Sequence, residues 1–118
     1  MTSPLRVAVQ GEFGSNSDMA ASQILPGATV VPCESFQAAF DAVRDGRADR
    51  ALIPVENSSA GRVADPHALL PDAGLHIIGE HFMPIHFDLV AVRGAALETI
   101  RTVRSHVHAF GQCSQLLR

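Results

Sequence analysis

Residues 51–63 read ALIPVENSSAGRV. The first five are apolar without alternation, the pattern of a strand covered on both faces, as strands of parallel sheets are. Such a strand needs helices on both sides, and the preceding residues supply them. "LRVAVQG" at 5–11 reads as a buried strand around Val7 and Val9, ending on glycine. "DMAASQIL" at 18–25 sets Met19, Ala20 and Ile24 at helical spacing, and "ATVVPCE" at 28–34 is a second short strand. Ser35 is placed to cap a helix over "FQAAFDAVRDG", whose Phe36, Ala39, Phe40 and Val43 share one face and which Gly46 is placed to end. Residues 50–55 are then the third strand. Strands alternating with helices predict an α/β fold with a largely parallel sheet.

Beyond residue 63 the pattern continues. "VADPHALL" is a short helix with Pro66 tolerated near its start. "LHIIGEHFMPIHFDLVAV" at 75–92 gives two strand-like runs joined around residues 80–84. "LETI" is one helical turn, "RTVRSH" a strand, and "HAFGQCSQLL" a helix with no closing Gly, Asn or Pro. That ending is expected to fall inside an element, making these residues part of a larger protein.

Composition narrows the function classes. The 118 residues are 47% hydrophobic with a net charge of −3, enough for one core and against the basic stripe of a nucleic-acid binder. All nine basic residues are arginine. No apolar run approaches the roughly 20 residues that span a bilayer, and "MTSPLRVAVQ" has no basic region leading into a long hydrophobic one. Cys33 and Cys113 lack CxxC spacing, so no disulfide framework is expected. The expected compartment is the cytoplasm, with neither nucleic acid nor membrane as a partner.

In parallel sheets ligands sit beyond the carboxyl ends of strands. That rule nominates three polar stretches: "QGEFGSNS" after the first strand, "ENSS" after the third, and "SHVHAFGQC" after the last. Gly11 and Gly14 frame the first, with Ser15, Asn16 and Ser17 at a helix start; it reads as a capped turn or as a carboxylate-binding helix N-terminus. It is neither GxGxxG nor a P-loop, so no nucleotide is implied. Glu56, Asn57, Ser58 and Ser59 offer a carboxylate, an amide and two hydroxyls. They read as a cap for the helix near Val63 or as the wall of a small-molecule site. His76, His81 and His86 recur every fifth residue, on opposite faces of a strand, and His106, His108 and Cys113 lack a zinc spacing. No metal is expected. Cys113 reads as a small apolar group rather than a nucleophile, His108 being five residues earlier.

Four stretches, "VAVQGEFGSNS", "ALIPVENSSAGRV", "IIGEHFMPIHFDLVA" and "VRSHVHAFGQC", occur in one order. Together they resemble the N-terminal part of the prephenate dehydratases, which make phenylpyruvate on the route to phenylalanine. The resemblance implies a two-lobed α/β fold like type II periplasmic binding proteins, with prephenate in the cleft and no cofactor. Residues 1–81 would form the first lobe, and 82–118 the crossover and an incomplete second lobe. It implies Glu56, Asn57 and Gln112 as catalytic residues, with Ser15, Ser17, Ser58, Ser105 and His106 as substrate-binding ones. A homo-oligomer is implied for the full-length protein. The family's Thr-Arg-Phe motif does not occur in these 118 residues, nor does a phenylalanine-binding ACT domain. The isolated chain is therefore expected to lack useful activity. A solute-binding or sensing module for small carboxylates is the alternative with the same architecture.

Overall fold

The computed structural model describes residues 3–59 and 61–117, with His108 described by its backbone only. Its centre is a strand whose two faces do different work. β1 (Arg6–Gln10) pairs in parallel with β2 (Thr29–Cys33) on one side and β3 (Arg50–Ala51) on the other. Because successive side chains of a strand alternate faces, Val7 and Val9 point one way and Ala8 the other. Val7 and Val9 pack with Ala21 of α1 (Asn16–Ile24), fringed by Leu25 and Val30. Ala8 packs with Ala39 and Ala42 of α2 (Phe36–Arg44) and with Ala48, fringed by Val31 and Ile53. Two βαβ crossovers thus cover both faces, which is why the three central residues of β1, Val7, Ala8 and Val9, are apolar and buried.

Local signals set the element ends. The Ser15 hydroxyl accepts the Asp18 N–H at 3.3 Å, and the Asp18 carboxylate accepts the Gly14 N–H at 2.7 Å, so the first helix start is closed reciprocally. Gly11, at φ 111°, donates its N–H to the Cys33 carbonyl at 2.9 Å and turns the chain off the strand end. Ser35 caps α2 by accepting the Ala38 N–H at 3.0 Å, and Gly46 at φ 79° follows the helix end, both as expected. The return to the sheet is tied by Asp49. Its carboxylate takes the Arg6 backbone N–H at 2.9 Å and the guanidinium at 3.0 and 3.2 Å. The hydrogen bond from the Arg6 side chain leads the effects that hold the Asp49 carboxyl down to about 2.

The third strand is shorter than its apolar run. Pairing covers Arg50–Ala51 and continues through the Leu52 N–H to the Ala8 carbonyl at 3.0 Å. Pro54 has no N–H to extend a ladder. The chain then turns into a small antiparallel pair, β4 (Glu56–Asn57) with β5 (Gly61–Arg62), in which Glu56 faces Arg62 and Asn57 faces Gly61. α3 (Ala64–Leu69) follows and runs into a 3₁₀ turn at Leu70–Asp72.

Residues 75–106 depart from expectation. "LETI" forms the expected turn, a 3₁₀ helix at Leu97–Thr99, but no strand forms over 75–92 or 101–106. Ile77, Ile78, Phe82, Val90 and Val92 are 73–85% exposed. Apolar alternation specifies that a segment has something to bury, whereas a strand's hydrogen bonds come from a neighbouring strand. No described strand pairs with either run. The molecule is correspondingly extended: its radius of gyration is 16.8 Å, against about 13–14 Å for a compact domain of this length. Its accessible surface is 9058 Å², against roughly 6,200 Å² for a compact monomer. α4 (Val107–Gln112) closes the described chain, continued by turns through Leu117.

Candidate active site

Hydroxyls and amides at a strand end can serve the backbone or a ligand, and the backbone use is testable by hydrogen bonds. α3 has Val63 at its N-cap position and no side-chain cap hydrogen bond. Ser58 and Ser59 therefore do not cap it. Instead Asn57 Oδ1 accepts the Ser59 N–H at 2.9 Å, which folds the turn between β4 and β5 back on itself and fixes the amide. His67 of α3 contacts the Val55 carbonyl at 2.9 Å and braces the strand that enters the turn.

This turn forms one wall of a cavity of about 580 Å³, a volume suited to a small organic ligand. Asn57, Ser58 and Ser59 line it from the hairpin, residues 83–88 from the extended segment, and Gln112 and Cys113 from the end of α4. Asn57 and Gln112, far apart in sequence, thus border one space. Met83, Pro84, Ile85 and Phe87 supply apolar wall, while His86 and Asp88 add polar groups.

The remaining expected site residues lie elsewhere. Glu56 is exposed on β4 and is not among the lining residues, since adjacent strand residues face opposite sides. Ser15 is committed to the α1 cap, and Ser17 is half-buried in the first turn of that helix. Neither lines the cavity. Ser105 and His106 are exposed just before α4; the His106 carbonyl accepts the Ala109 N–H at 3.0 Å. "SHVHAFGQC" does not follow a strand, so the strand-end rule nominated it on a wrong premise, although its Gln112 reaches the cavity. The side chain of His108 lies outside the described residues.

Residues 83–88 are the part that sequence reasoning missed. Read as a strand or a crossover, they carried no site assignment. The available signal was Pro84, which forbids a continuous ladder and lets the chain bend past the hairpin. Among the described residues no group of three or more His, Cys, Asp or Glu side chains could hold a metal ion, and no helix is long and apolar enough to cross a membrane. Both cysteines are free thiols; burial pushes the Cys33 thiol up from its ordinary value, with a smaller opposing effect from Arg47.

Comparisons with known proteins agree on one family. The family model described as prephenate dehydratase matches residues 7–118. A bifunctional N-acyl-homoserine lactone acylase/prephenate dehydratase of Komagataeibacter europaeus is 46% identical over 106 residues, covering 90% of this chain and 38% of that protein. Arogenate dehydratase 3, chloroplastic, of Arabidopsis thaliana is 42% identical over 115 residues, covering 98% of this chain and 27% of that protein. A solved structure described as "GqqA- a novel type of quorum quenching acylases" superposes with a TM-score of 0.63 at 53% identity, over 69% of this chain and 42% of that one. The chain thus spans between about a quarter and two fifths of the length of these relatives. With the match running through both the hairpin and α4, this chain belongs to the prephenate dehydratase family.

Proposed function

We propose that the chain carries part of the site of a dehydratase acting on prephenate or arogenate, in phenylalanine biosynthesis. The observation that supports it best is the convergence of Asn57 and Gln112 on one cavity with an apolar wall. The reaction breaks the bond between the ring carbon and its carboxylate. The freed electron pair enters the ring, and the ring hydroxyl leaves as water after taking a proton. Gaining aromaticity drives the step, so the protein's task is to orient the substrate, supply that proton and hold the remaining carboxylate. The amides of Asn57 and Gln112 and the hydroxyl of Ser58 are donors for the carboxylate and the departing hydroxyl. The apolar wall around Met83 and Phe87 suits release of carbon dioxide. Glu56, on the opposite face of β4, positions Asn57 rather than donating the proton. Ser15, Ser17, Ser105 and His106 stay in the proposal as substrate contacts outside the wall that Asn57 and Gln112 line.

We further infer the two-lobed binding-protein-like architecture, with residues 1–81 in the first lobe and 82–118 beginning the second. Association into a homo-oligomer is supported by the exposed apolar surface at 77–92. The cytoplasm is the proposed compartment, supported by two free thiols. In the full-length protein, Asn57→Ala and Gln112→Ala should each lower turnover at least about tenfold, roughly 1.4 kcal/mol of transition-state stabilisation. Unchanged kinetics in both variants would contradict the assignment. The 118-residue chain alone, lacking a Thr-Arg-Phe motif, should form no phenylpyruvate from prephenate.

A second reading is favoured by the acylase names of two relatives. If it holds, the full-length protein releases free fatty acid and homoserine lactone from an N-acyl-homoserine lactone. Absence of that release, with dehydratase turnover present, decides for the first reading.

A further inference from the structure

The charge of the cavity wall is lopsided. Among its described lining residues there is one carboxylate, Asp88, and no arginine; His86 is the one other ionisable side chain apart from the Cys113 thiol. Among the described lining residues, a substrate with two carboxylates would meet an anion and no permanent cation. A substrate that also carries an ammonium group would meet a partner. Prephenate and arogenate differ in that respect: a keto carbon in the first bears a protonated amine in the second, while ring, ring carboxylate and hydroxyl are shared.

We propose that Asp88 determines substrate choice at this site, selecting arogenate, whose ammonium it binds, over prephenate. The proposal rests on the dehydratase reading above and adds which of its two substrates the site prefers. Asn57, Ser58 and Ser59 line the same cavity as the extended segment that carries Asp88. A ligand held by the hairpin through its carboxylate can therefore turn its amine toward residue 88. Ammonium–carboxylate hydrogen bonds are charge-assisted and roughly twice as strong as neutral ones. The same carboxylate works against the competitor, because an unpaired anion facing a dianionic ligand is repulsive. Selection by attraction and repulsion from one side chain needs no change in cavity shape.

The test is calorimetric titration of the 118-residue chain with L-arogenate and with prephenate at neutral pH. Wild type, Asp88→Asn, Asp88→Glu and Asn57→Ala are compared, with circular dichroism to establish that each is folded. Wild type should bind arogenate more tightly. Asp88→Asn should lower the arogenate-to-prephenate affinity ratio at least tenfold by weakening arogenate and tightening prephenate, and Asp88→Glu should restore the order. Asn57→Ala should weaken both ligands in parallel. An unchanged ratio in Asp88→Asn, with both ligands still bound by wild type and weakened by Asn57→Ala, overturns the role of Asp88 and leaves the dehydratase reading standing. Binding of neither ligand by wild type overturns the selection by Asp88 at a site formed by this chain, while the dehydratase reading is decided separately by turnover in the full-length protein.

Discussion

Asn57 serves its own turn and also borders the cavity. Its oxygen is used locally, holding the Ser59 N–H at 2.9 Å, and that bond sets the turn that lines the cavity. Asp49 plays a different part, as a clamp between the α2–β3 connection and the start of β1. Its folded carboxyl lies at about 2, below the ordinary value near 4. The unfolded chain therefore binds the proton first as pH falls, and stability declines through that window. The clamp's contribution is full above about pH 4 and lost toward pH 2. Comparing urea midpoints of wild type and Asp49→Asn should show a gap at pH 6 that narrows steadily below pH 4. A gap that stays constant with pH would contradict the clamp.

At the scale of elements, the first half of the chain was legible, and in the second the helical pieces at Ala64–Leu69, Leu97–Thr99 and Val107–Gln112 were, whereas the strands were not. Strand–helix alternation, Ser35, Gly46 and the apolar faces located β1, α1, β2 and α2 because each of those signals acts within a few residues. Ser35→Ala should cost about 1 kcal/mol in chemical denaturation. Gly11→Ala should cost more than about 1 kcal/mol, since Gly11 sits at φ 111° with Ser15 atoms 3.4 Å from any added Cβ. A neutral Gly11→Ala would mean that the strand end can relax. The runs at 75–92 and 101–106 failed as strand assignments for a physical reason. Their periodicity records a face to bury, and nothing in residue order names the strand that would pair with them. The hairpin at Glu56–Asn57 and Gly61–Arg62 was hidden because its polar residues resemble a helix cap. Gly61, at φ 83°, was the local clue to a turn there. Asn57, Ser58 and Gln112, named from motif resemblance, line the cavity. Glu56, Ser15 and Ser17 came from the same resemblance and lie outside its wall.

Across the whole molecule, the packed part and the extended part should behave differently. Among the described residues the buried core is confined to 7–73, and 75–106 carries most of the large exposed apolar side chains. Limited proteolysis should cut first within 75–106 and leave an N-terminal product ending near residue 74. First cleavage inside β1 or α2 would contradict that division. The central claim is that hairpin, extended segment and α4 form one substrate-binding wall. Titrating the ¹⁵N-labelled chain with prephenate and following side-chain and backbone amide resonances tests it most directly. Concerted shifts at Asn57, Ser58, Ser59, Asp88 and Gln112 are expected, with the α2 resonances unmoved. Shifts confined to residues 11–17, or none at any of those five positions, would contradict it.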